Sequence, residues 1–326
     1  LDVAGWHLEV GAALGARAAV YVGDDAALTR WDPVLSEGVG VFPAALEVGL
    51  SRRWVFGELR VEEGVAHAGG LEAATALVGA RVPEGWGEVR AGRGDVVFMA
   101  DRAIEAEELL FSVRPVLSRV WLPQHATGVW VSGGWPGRVS AGVGAAWAAP
   151  TSDAPYLVGR LDVHPWGEIP EHAGAGGSTA RARLGGAVAR LDSEVLGRQL
   201  GWTVDGELCW RGVGLRGGWV WVDVGASVPM TEAWGEAEVH LLPNAPVAPM
   251  VGGRVERVTG LEVDEDVRWL AAGRLGASGW EHRAQVWVEA HFSREVGERT
   301  AEGAVVLDGR VERPNDAILV GAAIRM

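Results

Sequence analysis

From residue 6 to residue 22 the chain alternates without a break. Trp6, Leu8, Val10, Ala12, Leu14, Ala16, Ala18, Val20 and Val22 share one phase, and His7, Glu9, Gly11, Ala13, Gly15, Arg17 and Tyr21 share the other. A period of two places successive side chains on opposite faces of a β-strand, and a strand of this length exceeds those of most soluble sheets. The pattern returns late in the chain. His282, Ala284, Val286, Val288, Ala290 and Phe292 oppose Glu281, Arg283, Gln285, Trp287, Glu289 and His291. It recurs in the last segment, where Ile318, Val320, Ala322, Ile324 and Met326 oppose Leu319, Gly321, Ala323 and Arg325. Further alternating segments cover 53–62, 138–147, 180–191, 202–211, 234–242 and 267–275. The apolar phase consists largely of Ala, Val, Leu and Gly, with Trp at strand ends. Residues so small and smooth suit contact with lipid, whereas a soluble sandwich needs bulkier interlocking side chains to fill its core. The polar phase suits a watery interior. These segments predict a single all-β domain over 1–326, a transmembrane antiparallel β-barrel of about 16 strands.

Turns support the same architecture. Tryptophan sits at strand starts in Arg53-Trp54, Gly85-Trp86, Gly134-Trp135 and Gly279-Trp280, with looser versions at Pro165-Trp166 and Ala233-Trp234. Short turns fix hairpin register, and tryptophan repeated at one end of successive hairpins predicts an interfacial girdle. No blade-length repeat recurs, which argues against a propeller.

One stretch breaks the rhythm. Residues 95–127 do not alternate, and their centre, 103–111, has helical spacing and strong helix formers. Arg114-Pro115 would end that helix and Trp121-Leu122-Pro123 would turn the chain. Folded into a wide barrel, such a loop narrows it and brings Asp101, Arg102, Glu105, Glu107, Glu108, Arg114 and Arg119 to the constriction. Packed outside the pore, it would leave the same charges solvated. On the walls, the candidate lumen-lining residues are Glu58, Arg60, Glu88, Arg90, Arg160, Arg268, Arg274, Glu281, Arg283 and Glu289.

Composition narrows the function. The 48 glycines and 17 tryptophans stand against only 5 phenylalanines and 2 tyrosines, so aromatic content is concentrated in a side chain that favours wet–apolar boundaries. There is no lysine, and a net charge of −14 disfavours a nucleic-acid binder, which needs a basic footprint. No apolar run approaches the length of a transmembrane helix. The start at Leu1, with no basic and apolar leader, fits a mature secreted chain. Cys209 stands alone, which excludes an internal disulfide and reads as a small barrel-wall residue. The histidines lack metal-ligand spacing, and His7, His240 and His291 fall on polar phases facing the lumen. Glu262, Asp264, Glu265 and Asp266 read as a solvated loop rather than a calcium site, and 174–179 as a flexible turn without the lysine of a phosphate loop. No cofactor is called for. An enzyme would need a nucleophile and base on the wall; Ser140 and His164 are the pair to weigh, and the reading is non-enzymatic.

Several segments carry a family resemblance. They are the two hairpins of 42–93 ending in Gly87-Glu88-Val89-Arg90-Ala91-Gly92-Arg93, then Phe98-Met99-Ala100-Asp101-Arg102, Thr127-Gly128-Val129, and Gly159-Arg160-Leu161-Asp162-Val163-His164-Pro165-Trp166. The progression resembles the phosphate-selective porin O and P family over 42–166, and beyond it only the strand rhythm persists. The resemblance implies a 16-stranded homotrimeric channel in the bacterial outer membrane, surrounded by lipid or lipopolysaccharide. It also implies that the third extracellular loop, here 95–127, folds inward, and that a path lined by arginines and lysines takes anions such as phosphate. The expected function is passive diffusion of small hydrophilic solutes or ions. The alternative is a scaffold barrel that anchors partner proteins and conducts little.

Overall fold

The computed structural model describes residues 2–3, 5–22, 38–63, 71–82, 86–96, 98, 115–121, 125–147, 155–167, 169, 179–193, 197–225, 229–242, 245–260, 267–279, 284–296 and 316–325. A two-residue strand β1 (Asp2–Val3) folds back on β2 (Trp6–Val22). The hairpin partners that follow are β3 (Gly38–Arg52), β4 (Val55–Glu63), β5 (Leu71–Arg81), β6 (Gly87–Asp95), β7 (His125–Trp135) and β8 (Val139–Trp147). Next come β9 (Tyr156–Val163), β10 (Arg181–Ser193), β11 (Gly197–Trp210), β12 (Val213–Asp223) and β13 (Met230–His240). The last four are β14 (Val247–Thr259), β15 (Val267–Gly279), β16 (Ala284–Val296) and β17 (Asp316–Arg325).

Every strand from β2 to β17 pairs antiparallel with its neighbours in sequence. The ring closes where β17 meets β2, from Asp316↔Val22 to Arg325↔Ala13. Closure leaves no open edge among these 16 strands, which is what a sheet in lipid requires. Two register shifts interrupt the ladders, at Leu14/Ala16 between β2 and β3 and at Arg60/Val61 between β4 and β5.

The two faces separate as the alternation predicts. Val10, Leu14 and Val20 point outward at 57–61% exposure, whereas Ala13 and Ala19 between them are at most 5% exposed. On β16, Val286, Val288 and Phe292 face out while Trp287, Glu289 and His291 face in and are buried. On β17, Ile318 and Val320 face out and Leu319 faces in. The outer wall is therefore a continuous apolar belt.

Tight connections gather at the end of the barrel that carries both termini: 53–54, 136–138 and 211–212. Trp54, Trp86, Trp135, Trp166 and Trp210 are exposed at that end, so the girdle forms there. Trp234 does not belong to it. β13 begins at Met230, not 234, and Trp234 points into the barrel, 6% exposed. An indole in mid-strand satisfies the same sequence pattern as one at a turn. Trp280 lies outside the described residues.

Candidate functional site

The long connection between β6 and β7 decides what the barrel interior does. Its described parts are Val96, Phe98 and 115–121, which include a single helical turn, α1 (Val116–Val120). Pro115 stands at the start of this helix. A proline lacks only an N–H that the first turn of a helix leaves without a partner in any case. The predicted helix over 103–111 lies outside the described residues.

The first backbone N–H groups of a helix need acceptors from elsewhere. Here two carboxylates on the inner wall supply them. Glu232 on β13 accepts from the amides of Val116 (2.9 Å) and Leu117 (2.8 Å), and Glu256 on β14 also accepts from Val116 (3.2 Å). Both acids are buried and belong to the inward phase of their strands, with Ala233, Val255 and Arg257 facing out. The rest of the loop base follows them. Trp121 donates its indole N–H to Gln199 on β11 (3.0 Å), and its ring meets Phe98 edge-on with centroids 5.0 Å apart. The carbonyl of Phe98 accepts from Arg160 on β9 (2.9 Å). Val96, Phe98, Val116 and Leu117 join an apolar cluster with Ala126, Ala146, Tyr156, Ala189, Val220, Val222, Trp234 and Val258. Both described ends of the loop thus pack against the inner wall, inside the barrel.

Charges of both signs interleave along that wall. Arg160 pairs with Asp162 and with Asp205 on β11, each at 2.6 Å. Glu207 on β11 receives Arg183 (3.0 Å) and Arg216 on β12 (2.9 Å). Arg216 reaches Glu236 on β13 at 3.5 Å, and Arg254 on β14 pairs with Glu256 at 2.7 Å. The helix-holding Glu256 is thereby part of a charge chain that starts four strands away. On the opposite wall Arg60 lies between Glu62 (3.2 Å) and Glu47 (3.7 Å). His125, at the start of β7, sits 3.0 Å from Glu62 and 2.9 Å from Asp95. Arg274 on β15 is 3.6 Å from Glu289 and donates to Gln285 (3.1 Å), and His291 meets Glu289 at 3.1 Å.

Of the residues the sequence proposes for the lumen, Glu58, Arg60, Glu88, Arg90, Arg160, Arg268, Arg274 and Glu289 lie in the inward phase of their strands. Glu88 pairs with Arg90 (2.9 Å) and Arg81 (3.2 Å). Glu281 and Arg283 lie outside the described residues. So do Asp101, Arg102, Glu105, Glu107, Glu108 and Arg114 of the loop; Arg119 falls on α1, but its side chain is not among those described. His240 and His291 face inward and are buried, as does Cys209, whose thiol is 3.8 Å from Glu207. Sequence reasoning missed the anchors Glu232 and Glu256 and the linking residues Asp205, Glu207, Arg216, Glu236 and Arg254. The alternation of β13 and β14, extended to their true starts, would have placed Glu232, Glu236, Arg254 and Glu256 on the inner face. Among the described residues no group of histidine, cysteine, aspartate and glutamate is arranged to hold a metal ion.

No protein-family model matches the sequence, and no characterised protein matches it in sequence. Solved structures do match. An anion-selective porin from Comamonas acidovorans superposes with a TM-score of 0.69 at 15% identity, over 98% of this chain and all of that one. The fold is that of a bacterial outer-membrane porin. The outer membrane protein OmpT of Vibrio cholerae, in its trimer form, gives 0.63 at 11% identity over 99% of this chain and 100% of that one. The outer membrane channel DcaP of Acinetobacter baumannii gives 0.63 at 11% over 100% and 99%. At these identities the likeness concerns architecture alone. The porin fold and the apolar belt of the outer wall together place the chain in the bacterial outer membrane.

Proposed function

We propose that this porin-fold barrel is a passive diffusion channel for small hydrophilic solutes and ions, surrounded by outer-membrane lipid or lipopolysaccharide. The observation that carries the reading is the anchoring of the 96–124 connection to Glu232, Glu256, Gln199 and Arg160 inside a closed barrel. A segment fastened to an inner wall narrows a water-filled barrel and acts as its filter. Asp101, Arg102, Glu105, Glu107, Glu108, Arg114 and Arg119 are then the loop's selectivity residues, with the inward wall charges opposite them.

Phosphate selectivity is the finer question. The anion-selective porin among the structural neighbours, and the resemblance to the O and P family, favour an anion path. The ion pairs favour weak selectivity instead, because Arg60, Arg90, Arg160 and Arg274 each face a carboxylate that cancels their field. We read the channel as weakly selective. The trimeric neighbour makes a homotrimer the assembly to test by cross-linking in detergent. Purified chain in planar bilayers is expected to give stepwise conductance with a small reversal potential in a salt gradient. A silent barrel would replace the channel with the scaffold reading, and a strongly anion-selective sign would restore phosphate.

A further inference from the structure

Among the described residues only two non-glycine positions have positive φ, and both are arginine: Arg53 at +52° and Arg211 at +47°. Both occupy two-residue hairpin turns at the end of the barrel that carries the termini, Arg53 between β3 and β4 and Arg211 between β11 and β12. Such turns favour Asn or Gly because the left-handed region crowds a β-carbon, and Gly212 beside Arg211, at +86°, follows that rule. Arginine there is held against backbone preference. An outlier of this kind points to a use for the side chain.

The surroundings name the use. Each of the two arginines is chain neighbour to an exposed girdle tryptophan, Trp54 or Trp210, and the Arg211 guanidinium lies 5.1 Å from the Trp210 ring centre. Arg52 stacks over Trp6 at 5.7 Å, and Arg138, which also donates to the Pro165 carbonyl (3.3 Å), stands exposed in the 136–138 turn beside Trp135. The girdle marks the membrane–water boundary, so a guanidinium one residue beyond it lies at the depth of lipid phosphates. Arginine is suited to phosphate oxygens because it donates two parallel hydrogen bonds.

We propose that Arg53 and Arg211, with Arg52 and Arg138, form an arginine collar that binds the phosphates of anionic phospholipids in the leaflet on the turn side. The arginines are spread over turns from β3 to β12 rather than gathered in one patch. That distribution matches a leaflet surrounding the barrel and not a single protein docked at one side.

The test uses the full chain in phosphatidylcholine vesicles with and without phosphatidylglycerol. Tryptophan quenching by brominated forms of each lipid reads their relative association. The wild-type chain is expected to favour phosphatidylglycerol. The double variant Arg53→Asn, Arg211→Asn should lose that preference by about fivefold for each arginine removed. Asparagine accepts the left-handed backbone, so the variant's melting temperature in detergent should stay equal or rise, separating lost lipid contact from a damaged fold. Equal quenching by the two lipids in the wild type, or an unchanged preference in the variant, would overturn the collar. Neither outcome depends on whether the barrel conducts.

Discussion

Two side chains show how much rests on single buried groups. Glu232 is fully buried and holds two amides at the start of α1. Removing this acceptor costs about 1–3 kcal/mol, since the Leu117 N–H loses its partner and gains no water, while the Val116 N–H keeps only its longer contact to Glu256. Glu232→Ala should therefore speed hydrogen exchange at the Leu117 amide by about 30-fold, and less at the Val116 amide, which Glu256 still accepts from. Glu232→Gln, which keeps a carbonyl oxygen in place, should speed it far less. If the alanine variant exchanges like the wild type, the wall does not hold the loop. Arg160 poses the converse problem. It neutralises Asp162 and Asp205, and the Asp205 side chain is fully inaccessible. Arg160→Gln takes a counter-charge at 2.6 Å away from a buried carboxylate, at a cost of about 3 kcal/mol. Adding Asp205→Asn should recover most of that loss. Thermal melts in detergent on the two variants check it, and failure of the second change to rescue would show that Arg160 acts mainly through the Phe98 carbonyl.

At the scale of elements, strands were legible in the sequence and contacts across the barrel were not. Period two is local, so Val286, Glu289 and His291 could be assigned to faces from their own neighbours, and the structure keeps those faces. The long loop was equally legible, because its residues break the alternation. Its attachment was not. Glu232 lies 115 and 116 positions from the amides it accepts, and Glu256 lies 140 positions away. No short-range pattern encodes a partner at that distance. Ala233-Trp234 misled because the motif of a small residue before tryptophan does not distinguish a turn from a strand interior.

Gly201 belongs to the unreadable class as well. A β-carbon there would overlap the Trp121 ring, so this glycine on β11 is the seat on which the loop's indole rests. Gly201→Ala is expected to displace Trp121, break its 3.0 Å bond to Gln199 and raise channel noise, while the barrel stays folded. Bilayer recordings that match the wild type would show that the indole does not fix the loop.

The whole molecule depends on closure. β17 is the last described strand in the sequence, yet it supplies both the partner of β16, from Ala284↔Ile324 to His291↔Ala317, and the partner of β2. Without it, both neighbours expose a row of N–H and C=O groups to lipid, where each unsatisfied group costs several kcal/mol. The loss cannot be repaired by a smaller ring, because β2 and β16 would then run parallel and an antiparallel ladder could not form between them. A chain truncated before Asp316 should therefore fail to fold in detergent micelles. The expected readout is loss of the heat-modifiable gel shift and of β-sheet circular dichroism, with aggregation through the open edges. Truncation before Gly197 removes more chain but leaves the same defect, so it should fail no more completely. A graded loss of structure with length would instead mean that hairpins fold independently. The ring of pairings argues for a single cooperative unit, in which the last ten-residue strand decides whether the first can exist.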